Sequence, residues 1–330
     1  MEDYDVIVVG ASNAGSMAAA SAAEKGAKVL VIDKASTSKY LFRNTIASVG
    51  SKVQKAAGIT IDKMKLVNFL ASCAQNHVDQ RLLWTWVNHS AETVDWLDQN
   101  VLRSHGDYMQ ATSDAHYESW VNAAFPTGNE VTNHDGSYWE MGWGQWLIEK
   151  AEALGVTYQW HTRLEHLTTK AGKVSGVEVT NSGTNEVYHI NAQKGVILCT
   201  GGYGSNLALM QQWNPEALNT VMYSDSLRDD GSGIVAGLEV GAIKDEQPAS
   251  IVFNRGSVPV GTNAKHFYKI LANSVMHPGY LWLGSYPFLK VNKNGERFFN
   301  ESAPYQFDMN AASKQPGYLE ASIWTEETMK

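Results

Sequence analysis

The chain has 330 residues, 44% of them hydrophobic, which is enough to bury a sizeable core and, by length, to form about two domains. A net charge of −8 with scattered lysines and arginines leaves no basic footprint and argues against a nucleic-acid partner. Cys73 and Cys199 are too few and too far apart for a disulfide framework or a zinc or haem spacing, and no apolar run reaches the roughly 18 residues of a membrane span. The acidic start MEDYDVIVVG enters a strand pattern at once, so the expectation is a soluble, cytoplasmic protein.

In chain order, residues 5–10 read as a β-branched strand, 13–25 as an alanine-rich helix closed by Gly26, and 28–32 as a second strand ending at Asp33. This is a βαβ unit of about 30 residues. Helical periodicity follows over 63–76 and 80–99. The polar, aromatic stretch 104–137 has no clear period and is read as a loop or lid. Residues 143–154 are helical again, closed by Gly155. Short strand patterns then run over 157–161, 164–169, 174–180, 187–192 and 196–200, with turn signals at Ala171-Gly172 and Asn181-Ser182-Gly183. They predict an antiparallel meander attached to a parallel sheet. A helical run from Ile234 ends at Gly241, and the aromatic, turn-rich chain beyond Asp245 marks a domain boundary, giving domains 1–245 and 246–330.

The stretch VIVVGASNAG raises the question of what its turn holds. In a dinucleotide fingerprint the first glycine makes the turn, the second admits the pyrophosphate and the third lets helix pack on strand. Gly10, Ser12 and Gly15 stand at those places, and Asp33 lies about 20 residues beyond, where an acid accepts ribose hydroxyls. Serine at the middle position is a departure whose hydroxyl can still donate to phosphate.

Further motifs occur in order. GVILCTGGYGSN at 195–206 is a strand ending in a double-glycine turn; RNTIASVGSKVQKAAGI occupies 43–59, DDGSGIVAGLEVGA 229–242 and VNKNGERFFNESAPY 291–305. Together with DYDVIVVGASNAG and VLVIDK, this series resembles the FAD-dependent fumarate reductase and succinate dehydrogenase flavoprotein family across nearly the whole chain. The resemblance implies an α/β fold: a Rossmann-like FAD-binding domain with a parallel sheet and inserted antiparallel β-meander, plus an α+β cap domain that begins near Glu246 and is incomplete beside the family pattern. It also implies FAD as cofactor and a reaction that reduces or forms an activated C=C bond of a small-molecule substrate.

By that resemblance, Gly10, Ala11, Ser12, Asn13, Ala14 and Gly15 surround the pyrophosphate and Asp33 and Lys34 the adenosine ribose. Arg43, Asn44, Thr45, Ala47 and Ser48 border the flavin, although Phe42-Arg43-Asn44 replaces the family's G-G-N. Leu164, Thr200, Gly201, Gly202, Asn206, Gly231 and Gly233 complete the cofactor set. The family's proton donor lies four residues beyond the Glu of its N-E motif and is an arginine in fumarate reductases; counting from Glu301 gives Tyr305. A tyrosine there resembles the ketosteroid dehydrogenases of the same superfamily and argues against a dicarboxylate such as fumarate. Arg297 and Glu301 are read as fixing the turn that presents Tyr305. His266, His277 and Arg255 are weaker candidates, and Trp139, Trp143 and Trp146 are spaced as core residues of a helix. The alternatives are a ketosteroid-type dehydrogenase and a non-catalytic or incomplete FAD-binding fragment, either a truncated product or one whose missing half comes from another polypeptide; the expected partners are an electron-donor protein or that missing C-terminal polypeptide. No metal site is expected.

Overall fold

The computed structural model describes residues 3–36, 45–74, 76–112, 124–133, 142–215, 218, 229–245, 286–303 and 305–329, excluding the side chains of residues 305, 306, 309, 328 and 329. Two compact units emerge, one of residues 1–114, 120–200 and 235–243, the other of 115–119, 201–234 and 244–330.

In the first unit the chain runs β1 (Tyr4–Val9), α1 (Asn13–Glu24), β2 (Val29–Ile32), β3 (Thr45–Ala47), α2 (Lys52–Ala56), α3 (Lys63–Cys73) and α4 (Gln80–Leu97). There follow β4 (Tyr108–Ala111), β5 (Gly128–Thr132), α5 (Trp143–Ala153), β6 (Thr157–Gln159), β7 (Thr162–Lys170), β8 (Lys173–Asn181) and β9 (Val187–Leu198). A six-stranded sheet in the order β6-β2-β1-β9-β8-β7 is its frame. β1 pairs in parallel with β2 and β9, and β2 with β6, whereas β8 pairs antiparallel with β7 and β9.

The expected parallel sheet with an attached meander is therefore present. The two strands expected at 187–192 and 196–200 are one continuous strand. Its first half hydrogen-bonds to β8 and its second to β1, with a register shift opposite Tyr4 and Val6 where the partner changes. Exposed Gln193 and Lys194 at that crossover read like a turn in sequence. They remain in the strand because β1 and β8 each satisfy part of its backbone.

Burial on both faces explains why β1 and β2 are near-continuous apolar runs. On one face Val8, Val29 and Val31 pack with Ala19 and Ala20 of α1 and Ala151 of α5. On the other, Ile7, Val9, Leu30 and Ile32 pack with Leu164, Val177, Val179 and Ile190 of the meander. The small residues of α1 let its axis approach the sheet closely, which fixes the helix N-terminus over the end of β1.

A second, antiparallel sheet has the order β3-β5-β4. It corrects the loop-or-lid reading of 104–137 for the described part of that stretch. β4 and β5 are short, with no clear alternation, and they are held by Met109 and Val131 inserting among Val94, Leu97, Val101, Trp143 and Leu147. The expected boundary of the α4 region is likewise extended, by a π-turn over Asp98–Leu102, where the Asp98 carboxylate accepts the Met109 amide at 2.6 Å.

The second unit contains α6 (Leu207–Trp213), the start of α7 (Ser232–Glu239), a two-stranded antiparallel sheet of β10 (Leu289–Val291) and β11 (Ala321–Ile323), and α8 (Tyr305–Ala312). Among the described residues no helix is long and apolar enough to cross a membrane, and no cluster of His, Cys, Asp and Glu could hold a metal ion.

Candidate cofactor site

The turn from β1 into α1 is built by backbone contact. Gly10 donates its amide to the Ile32 carbonyl at 2.9 Å and has φ +101°; a Cβ there would stand 2.2 Å from the Cys199 carbonyl oxygen. At Gly15 a Cβ would lie 1.8 Å from the Gly10 carbonyl oxygen, so the first turn of α1 rests directly on the turn below it. Both glycines are required by space, and Gly10 also by conformation.

Ser12 is the N-cap, exposed, and its side chain makes no capping bond. The cap's hydroxyl is thus available, and helix geometry leaves the first-turn amides of Asn13, Ala14 and Gly15 without intrahelical partners. No acidic residue occupies that turn. Ser16 closes the other side, its hydroxyl donating to the Ala11 carbonyl at 3.0 Å. The result is an uncapped, positively polarised helix end at a glycine turn, chemistry suited to a phosphate.

Asp33, at the end of β2, is tied into the same turn. Its Oδ2 accepts the Ala11 amide at 2.8 Å and its Oδ1 the Ala35 amide at 2.8 Å. Each oxygen keeps a lone pair for a hydroxyl donor, so Asp33 both positions the turn and can read a diol beside it. The residues of the first unit therefore fit the adenosine diphosphate half of FAD. Thr200 follows Cys199 at the mouth of β9, whose amide is bonded to the Val9 carbonyl at 2.8 Å. Burial pushes the Cys199 thiol up, away from a reactive thiolate. Leu164 is buried with its side chain in the sheet core, leaving only its main chain for a ligand. Lys34 lies beside Asp33; Arg43 and Asn44 lie outside the described residues, as do Trp139, Arg255, His266 and His277. Trp143 is buried in the core as its spacing implies, and Trp146 stacks on His105 with ring centroids 4.1 Å apart.

In the second unit the two further glycine-rich segments are brought together. The Gly231 amide donates to the Gly202 carbonyl at 3.0 Å, the Ser205 amide to the Asp229 carbonyl at 2.9 Å, and Asn206 Nδ2 to the Asp230 carbonyl at 2.9 Å. Gly201 has φ +74° and faces the Asp229 carboxylate. Asn206 also caps α6 through Oδ1, so both ends of its side-chain amide are engaged in the fold. Gly233 lies in the first turn of α7.

Tyr305 begins α8. Just before it, Arg297 grips Glu301 through Nε at 2.8 and 3.1 Å and Nη2 at 2.6 Å, while Glu301 also receives the Lys290 amide at 3.4 Å. The Arg297 guanidinium holds the Glu301 carboxyl below the usual range. This fork fixes the turn leading into α8.

Sequence reasoning missed a buried charge group in the same unit. Lys290 is 1% exposed, donates to the Tyr286 carbonyl at 2.9 Å and lies 3.6 Å from Asp308, itself 2% exposed. Glu320 sits against Asp308, and burial together with that neighbour pushes its carboxyl up to about 10. Also missed was a polar cluster in the first unit, where Ser48, Ser51, Gln54 and Asn129 are all fully buried. The only sequence signal for it was the capping-box spacing of Ser51 and Gln54.

The sequence profile described as "FAD binding domain" matches residues 5–317. Among curated proteins, vinyl phenol reductase of Lactiplantibacillus plantarum is 26% identical over 93% of this chain and 58% of its own length, and urocanate reductase of Eggerthella lenta 29% identical over 73% and 38%. The chain thus spans about half the length of these relatives. The fold matches the open conformation of a flavocytochrome c3 fumarate reductase with a TM-score of 0.67 at 23% identity, over 97% of this chain and 52% of that one. With a glycine turn shaped for a phosphate and a family match over nearly its whole length, the chain belongs to the FAD-binding domain family, and FAD is its cofactor.

Proposed function

We propose that the protein is an FAD-dependent oxidoreductase that reduces an activated C=C bond of a small organic substrate lacking the two carboxylates of fumarate. The observation that carries this reading is the turn at Gly10–Gly15 with Asp33 bonded into it, which fits a dinucleotide phosphate and ribose. FAD, when bound and reduced by an external electron donor, would supply the hydride in such a reaction.

The roles of the chain's own residues follow. Amides of Asn13, Ala14 and Gly15 and the Ser12 hydroxyl hold the pyrophosphate, and Asp33 orients the adenosine ribose. Tyr305 gives a proton to the substrate carbon opposite the one that receives hydride; a phenol, with an ordinary pKa near 10, is a workable acid when its neighbours tune it. The Arg297–Glu301 fork holds the turn that delivers Tyr305. An arginine at that place would favour a carboxylate substrate through a bidentate clamp, and a tyrosine favours an uncharged or singly charged alkene. Vinyl phenol reductase and urocanate reductase among the relatives support that class.

The test is reoxidation of the dye-reduced protein by a panel containing 4-vinylphenol, a cyclic enone, urocanate and fumarate. Reoxidation by one of the first three and not by fumarate is expected. Tyr305→Phe is expected to keep its yellow colour while turnover falls at least about a hundredfold, within the range for acid–base groups. Fumarate as the best acceptor, or undiminished turnover in Tyr305→Phe, would overturn the assignment.

A further inference from the structure

We propose that Gln54 and Asn129 are positioning residues for the cofactor: they hold the edge strand β3 rigid from behind, so that its open edge is preformed to receive FAD. This rests on the reading of 43–48 as a flavin-bordering segment, and adds to it the residues that set the segment's geometry.

β3 lies at the edge of its sheet, paired with β5 on one side and with no strand beyond it among the described residues. The Ser48 amide donates to the Thr127 carbonyl at 2.8 Å, and Thr45 pairs with Glu130, Ile46 with Asn129 and Ala47 with Gly128. In an antiparallel ladder hydrogen-bonded and non-bonded pairs alternate. Ile46 therefore bonds inward, and the amides and carbonyls of Thr45 and Ala47 point off the open edge. The Gly128 carbonyl agrees with this phase, because it accepts from the Thr112 amide on the opposite side, at 3.1 Å. Thr45 and Ala47 are also exposed.

Behind this bare edge stands a fully employed polar cluster. Gln54 Oε1 accepts the amides of Gly50 at 2.8 Å and Ser51 at 3.0 Å, and its Nε2 donates to the carbonyls of Ser48 at 3.0 Å and Pro126 at 3.1 Å. Asn129 Nδ2 reaches the Ile46 carbonyl at 3.0 Å, the Ser48 hydroxyl at 2.9 Å and the Thr127 carbonyl at 3.0 Å, and its Oδ1 accepts from the Ser51 hydroxyl at 2.9 Å. Both amide side chains are 0% exposed. Such a network resists any shift of residues 46–51, since each broken bond leaves a buried polar group unpaired. Ser48 is consumed here: its hydroxyl, amide and carbonyl all have protein partners. Its part in cofactor binding is support, and contact falls to Thr45 and Ala47. A rigid strand braced on its buried side and unpaired on its open side is how a binding edge is preorganised.

The test is amide hydrogen exchange on the intact 330-residue chain with and without FAD. Amides 48–51 are expected to exchange slowly in both states, and those of Thr45 and Ala47 rapidly without FAD and at least tenfold more slowly with it. FAD uptake that leaves Thr45 and Ala47 unprotected, or amides 48–51 that become slow only when FAD is added, would overturn this inference alone; failure to take up FAD would overturn the proposed function as well. A second arm uses Asn129→Asp, which puts an acceptor opposite the Ile46 and Thr127 carbonyls. FAD affinity is expected to fall at least tenfold and the visible absorption band of the flavin that remains bound to move. An unshifted band with unchanged affinity would reduce Asn129 to a structural residue, and the exchange arm decides the matter if the variant does not fold.

Discussion

The same glycine-to-alanine change has two different costs in this chain, depending on what the missing Cβ would meet. At Gly15 it would stand 1.8 Å from the Gly10 carbonyl oxygen, a backbone atom that cannot rotate away. At Gly26, with φ +81° just past α1, nothing lies within 4 Å. Gly26→Ala is expected to cost about 1–2 kcal/mol, the ordinary penalty of a left-handed residue. Gly15→Ala is expected to reach or exceed the top of the about 1–3 kcal/mol range for overpacking and to lose FAD, because α1 must lift off the turn that carries the amides. Thermal melts and FAD titrations of the two variants check this. Equal stabilities, or full FAD occupancy in Gly15→Ala, would contradict the geometry. Asp33 belongs to the same scale, since its two amide bonds make it a strut of the turn beside its proposed role as ribose acceptor.

Between β10, α8 and β11, the buried cation Lys290 faces the buried carboxyl of Asp308 and the half-buried one of Glu320. Lys290 balances Asp308, and Glu320 keeps its proton well above neutrality because burial and the neighbouring Asp308 disfavour its charged form. The sign of the pH effect is fixed by that upward shift. A carboxyl raised in the folded state above its ordinary 4.5 contributes stability fully below that value and loses it as pH climbs towards about 10. Melting temperature should therefore fall as pH rises from about 4.5 to about 10, and Glu320→Gln should flatten the fall; an identical pH profile in the variant would rule out Glu320 as its source. Lys290→Met removes the cation alone and is expected to cost about 3–5 kcal/mol. The strands and helices here illustrate what sequence can carry. β1, α1 and β2 are legible because their burial follows a local period, and Gly10, Gly15 and Asp33 because the turn is a local steric problem. β4 and β5 were not, since their stability comes from Met109 and Val131 reaching into a core supplied by α4 and α5. Nor were Gln54 with Asn129, or Lys290 with Asp308, whose partners lie far apart in the chain and leave no periodic trace.

At the scale of the molecule, the dinucleotide turn hangs on the centre of the six-stranded sheet, through Ile32 of β2, Val9 of β1 and Cys199 just after β9. A ligand held there is coupled to the core of the first unit, so binding must appear as stability. FAD at a hundred times its Kd should add about 2.7 kcal/mol. For a unit of this size that corresponds to a rise of roughly 5–10 °C in melting temperature. The proposed placement has the described turn and Asp33 reading the adenosine diphosphate half of the cofactor, which yields a sharper expectation. ADP should raise the melting temperature on its own and compete with FAD, because it presents the same pyrophosphate and ribose to the same amides and carboxylate. FMN carries the isoalloxazine without the adenosine and should do neither at equal concentration. Calorimetric titration with the three nucleotides tests the assignment directly. A melting temperature that responds to FMN and ignores ADP would mean that the turn between β1 and α1 is not where the chain takes hold of its cofactor.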